Sequence, residues 1–121
     1  MVSNRKIYLK CLDDLKYVKT FSTILERERG FIESYKPEKK DLHDFAVCKM
    51  CLEKLTEGLP SLTKDYEFLQ KYIRDEGLLN GDDAENDILQ EYGGLFERFC
   101  DLSNCTSDMS KSIEKLRKGN K

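Results

Sequence analysis

The middle of this chain carries an unbroken apolar stripe. Phe45, Cys48, Leu52, Leu55, Leu59, Leu62, Tyr66, Leu69 and Ile73 recur at alternating steps of three and four, and none is charged. That spacing places every member on one side of an α-helix, and a helix with one apolar side needs another helix to cover it. The last third of the chain repeats the pattern with Ile88, Tyr92, Leu95, Phe99, Leu102, Thr106, Met109, Ile113 and Leu116, where only Thr106 is polar. The first third offers Tyr8, Cys11, Leu12, Leu15, Val18, Phe21, Leu25 and Ile32, flanked by Ile24, Phe31 and Tyr35. Its phase drifts as an ordinary 3.6-residue helix does, so we expect a bundle helix there rather than a coiled-coil strand.

Two breaks separate the three segments. Lys36-Pro37 ends the first, since proline disfavours helical geometry in the residue before it and suits a helix's first turn. Gly77 and then Asn80-Gly81-Asp82-Asp83 end the second. The glycine fits a left-handed stop, Asp82 or Asp83 can cap the next helix, and Glu85 would complete a capping box. Connections this short make consecutive helices antiparallel. The expected fold is all-α: a single domain over residues 1–121, an up-down-up antiparallel three-helix bundle, each helix of about 30 residues spanning roughly 45 Å. Pro60, beside Gly58, costs a straight helix about 3 kcal/mol. The stripe nevertheless keeps its phase from Leu55 through Leu59 to Leu62, so a kinked second helix is expected. The alternative is a break at Pro60 and a four-helix bundle. Gly93-Gly94 either admits a close neighbour or is a tolerated weak spot in the third helix.

Composition narrows the class. The chain is 39% hydrophobic and 36% charged with no tryptophan, too apolar for disorder and too charged for a membrane-spanning protein. A net charge of −2 with both signs interleaved argues against a nucleic-acid binder. No apolar signal region follows the first residues, which leads us to expect cytoplasmic residence and reduced thiols for the five cysteines.

Chemistry has few places to reside. Cys48 and Cys51 have the spacing of half a zinc site, and Cys100 with Cys105 could supply the rest. Folding the third helix back on the second puts Cys100 level with position 59, ~12 Å along the axis from Cys51 at a rise of about 1.5 Å per residue. Four sulfurs cannot then converge, and no metal or cofactor is expected; Cys51 and Cys105 remain neighbours. His43, the only histidine, reads as a surface residue. There is no glycine-rich phosphate loop and no nucleophile paired with a base, so no catalytic residue is assigned and no enzyme is expected. Asp13-Asp14, and Asp82-Asp83 with Asp87, read as solvated faces and helix caps.

Charge and aromatic content supply the functional expectation. An up-down-up bundle gathers Lys36, Lys39 and Lys40 with Lys111, Lys115, Arg117 and Lys118 at one basic pole, while Asp75, Glu76, Asp82, Asp83, Glu85 and Asp87 lie at the other end. Helix dipoles explain much of this, and docking on a partner or an acidic surface is the sharper explanation. Tyr17, Phe21, Phe31, Tyr35, Phe68, Tyr72 and Phe96 cannot all fit inside a core one stripe wide. Phe21, Phe31, Phe68, Tyr72 and Phe96 are therefore the candidate partner-binding residues. The expected role is a non-enzymatic interaction module, an adaptor or scaffold subunit of a cytoplasmic assembly whose partner is a helical protein or a second copy. The alternative is a peripheral membrane-binding helical dimer using the basic pole.

Overall fold

A computed structural model of the chain describes residues 3–80 and 86–119 and contains three long helices: α1 (Asn4–Ser34), α2 (Leu42–Asp75) and α3 (Asn86–Gly119). Short 3-10 turns, Lys39–Asp41 and Leu78–Asn80, follow α1 and α2. Cross-helix contacts fix the directions. Along α2, Cys48 meets Met109, Ser61 and Asp65 meet Arg98, and Tyr66 meets Tyr92, so α3 runs antiparallel to α2. Thr56 reaches Arg29 and Gln70 reaches Tyr8, so α1 is antiparallel to α2 as well. The result is the expected up-down-up bundle.

Local chemistry sets the helix ends. Ser3 opens α1 by accepting the Lys6 N–H at 3.1 Å on its hydroxyl, which satisfies one of the unpaired donors of the first turn. The chain turns extended at Tyr35, just before the Lys36-Pro37 pair. Pro37 sits in this linker and not in the first turn of α2, which begins five residues later. A capping box between Glu38 and Asp41 organises the turn. At the end of α2, Glu76 N–H bonds the Tyr72 carbonyl, Gly77 N–H bonds the Arg74 carbonyl, and Gly77 takes φ +68°. That left-handed stop needs glycine because a Cβ would be strained there. The proposed caps Asp82, Asp83 and Glu85 lie outside the described residues.

α2 continues through Pro60 as one helix, which removes the four-helix alternative. Pro60 is exposed, so the carbonyl of Thr56 that loses its donor lies on the water side. Gly58 has a packing role: a Cβ there would stand 2.9 Å from Cδ2 of Leu102, closer than carbon atoms pack. Gly93 and Gly94 are different. A Cβ at either would meet nothing within 4 Å, so neither admits a neighbouring helix of this bundle.

The stripes of α2 and α3 fall inward as the spacing predicts, with Leu55, Leu62, Tyr66, Ile73, Met109 and Ile113 all at most 2% exposed. Thr106 is buried too, its hydroxyl donating to the Leu102 carbonyl at 2.8 Å. The stripe of α1 differs from expectation. Its inward residues are Asn4, Ile7, Cys11, Asp14, Val18, Leu25, Glu28 and Ile32, with Phe21 partly buried between Val18 and Leu25. These positions alternate by three and four throughout, so α1 follows the same heptad as its partners. The apolar residues alone drift in phase because two inward positions are the charged Asp14 and Glu28, while the apolar Leu12 is exposed.

Candidate functional site

Asp14 occupies the middle of the bundle, contrary to its expected place on a solvated face. It is buried, and its Oδ2 accepts hydrogen bonds from Tyr66 at 2.8 Å and Tyr92 at 2.9 Å. One carboxylate thereby ties α1 to both other helices, and buried polar groups of this kind persist only when hydrogen-bonded. Burial raises both phenol pKa values, and donation to Asp14 raises them further. Cys11, one turn away, is pushed up to about 12 by burial and by the charge of Asp14. With both phenols already bound to it, Asp14 has the environment of a structural acceptor rather than a general base.

A second buried carboxylate lies near the basic pole. Glu28 accepts from Arg117 at 2.8 Å and from Arg27 at 3.1 Å, and the Arg117 guanidinium lies over the Phe31 ring, 4.7 Å from its centroid. Arg117 thus binds across the bundle and stacks on an aromatic face. Lys118 pairs with Glu114, and Lys40 with Glu38 and the carbonyl of Gly119. Lys36, Lys39, Lys111 and Lys115 are exposed.

The thiols divide by depth. Cys11 and Cys48 are fully buried and Cys51 nearly so, while Cys100 and Cys105 are partly exposed. Burial pushes Cys48 and Cys51 up to about 11, and the neighbouring Cys105 thiol of α3 adds to the rise at Cys51. The sequence expectation of that neighbouring pair holds. Among the described residues no group of three or more His, Cys, Asp or Glu side chains is arranged to hold a metal ion. His43 is exposed on the first turn of α2.

The exposed aromatic residues among those described form two surfaces. On the α1–α3 side, Tyr92 stacks on Phe96 and Phe96 on Phe99, and the Phe99 ring also contacts Tyr17 and Phe21. Phe21, Phe31 and Tyr35 lean against the core and are only partly exposed, so the bundle absorbs more aromatic bulk than a single-stripe core would. Phe96 and Tyr17 remain 43% and 60% exposed. On the α2–α3 side stand Phe68, 73% exposed, and Tyr72, one turn on. Phe68 and Tyr72 thus share one face with each other but not with Phe96.

No protein-family model matches the chain, and neither curated proteins nor solved structures give a match. Among the described residues no helix is long and apolar enough to cross a membrane.

Proposed function

We propose that this chain is a non-enzymatic interaction module, an adaptor or scaffold subunit that holds a helical protein partner along its helix faces. The observation that carries this reading is the exposure of Phe68, a full phenyl ring 73% open to water on the side of a well-packed bundle. Tyr72 beside it, and Tyr17 with Phe96 on the other face, extend the apolar surface. Aromatic side chains concentrated outside the core mark association surfaces, and they dominate the energetics of the interfaces that bury them. Long parallel ridges and grooves suit a partner that is itself a helix.

The test compares complex formation in an extract of the source cells by the natural chain, by a Phe68→Ser/Tyr72→Ser/Phe96→Ser variant, and by a variant with the exposed Lys111, Lys115 and Lys118 changed to glutamine. We expect the aromatic changes to abolish a defined complex and the basic-pole changes to leave it. Loss of complex only in the glutamine variant, together with binding of the natural chain to anionic liposomes, overturns the reading.

A further inference from the structure

We propose that the groove between α2 and α3 is a docking site for a basic amphipathic helix of a partner protein. This deepens the interaction-module reading and rests on it. Two adjoining clefts of about 500 and 170 Å³ make the groove, sharing Phe68, Leu69 and Glu91. Leu69, Ile88 and Leu95 form its apolar floor, and Phe68 with Tyr72 forms one wall. The lined length of α3, from Asp87 to Arg98, is about 16 Å, or three turns of a helix laid alongside.

Charge selects the occupant. The α3 rim presents Asp87 and Glu91, both exposed. The arginine at the far end, Arg98, is bound across the groove to Asp65 at 2.6 Å and to Ser61 at 3.1 Å. Further along, Glu57, Asp101 and Asp108 line the continuation of the groove, with Lys54 and the already paired Arg98 as its cations. An apolar floor with an aromatic wall on α2 and an acidic rim on α3 complements a helix with leucines on one side flanked by lysine or arginine, and disfavours an acidic one.

Gly94 supplies an independent observation. It lines the groove in the interior of α3, where glycine is a poor helix former, and the bundle's own packing gives no reason for it because a Cβ there meets open space. A missing side chain beside an exposed phenyl ring leaves room for another backbone to approach.

The experiment titrates the ¹⁵N-labelled full chain with two synthetic helical peptides of about 18 residues, long enough to span three turns. They share one leucine stripe and carry lysine or glutamate on the flanks. We expect saturable binding of the lysine peptide with shifts centred on Phe68, Tyr72 and Gly94. The glutamate peptide, and the lysine peptide against Phe68→Ala or Gly94→Leu, should each bind at least ~10-fold more weakly, the size of a single hot-spot loss. Asp87→Lys/Glu91→Lys should reverse the peptide preference, and circular dichroism of each variant checks its fold. Equal affinity for both peptides, no binding of either, or salt-sensitive self-association of the chain through this groove overturns the assignment. Shifts mapping to Tyr17 and Phe96 also overturn it, and they leave the broader interaction reading standing.

Discussion

The phenol of Tyr66 on α2 donates to the carboxylate of Asp14 on α1 across 2.8 Å of buried space, though the two lie 52 positions apart in the chain. Tyr92 on α3 meets the same oxygen. Removing the acceptor strands both phenols, and a stranded buried donor costs about 1–3 kcal/mol. Asp14→Ala should therefore destabilise by at least ~2 kcal/mol. In a double-mutant cycle with Tyr66→Phe, the coupling should exceed ~1 kcal/mol by urea unfolding, as members of one buried network do. Strict additivity would show that the contact contributes nothing.

The glycines of α2 and α3 should respond oppositely to alanine. At Gly94 the added methyl meets open space, so Gly94→Ala should stabilise by up to ~1 kcal/mol through helix propensity alone. At Gly58 the methyl meets Leu102 at 2.9 Å, and displacing that side chain should cancel the gain. Differential scanning calorimetry should show a raised Tm for the first variant only.

Core and surface should separate cleanly. Leu62 is fully buried and Lys64 exposed, so Leu62→Ala should cost about 2–5 kcal/mol and Lys64→Ala less than ~0.5 kcal/mol. Similar losses at both sites in chemical denaturation would contradict the packing described.

Alkali should unfold the protein. Cys11 is raised to about 12 and Cys48 and Cys51 to about 11 by burial, from an ordinary value of 9.0. Between those limits the folded chain keeps protons that the unfolded chain releases, so stability is full below pH 9 and falls as pH rises. Each such group contributes a slope of up to ~1.4 kcal/mol per pH unit. Unfolding free energies measured from pH 7 to 11 should be flat at first and then decline. Cys48→Ala/Cys51→Ala should flatten the decline.

The stripes of α2 and α3 were legible because every member is apolar or, at Thr106, able to bond its own helix. The stop at Gly77 was legible because few residue types other than glycine readily take that backbone. Asp14 and Glu28 were not, since a charged residue in a heptad reads as a surface residue unless its partner is known, and Tyr66, Tyr92 and Arg117 lie 52 to 89 positions away. Had the spacing of α1 been followed through its charges, both carboxylates would have fallen at inward positions. Phe21, Phe31 and Tyr35 were placed too far out because ring-on-ring contacts at the seams hold more bulk than a stripe count allows. The neighbouring pair Cys51 and Cys105 followed from helix rise alone.

The two carboxylates of α1 act as alignment marks. Three helices sharing one heptad can slip past one another by seven residues, ~10 Å along the axis, and still present apolar stripes to each other. In α1 a slip of that size would carry Asp14 away from its two phenols and Glu28 away from Arg117, leaving both charges against apolar layers. Leucines at positions 14 and 28 would add burial and erase this penalty, so a carboxylate in each half of the helix disfavours such slips of α1.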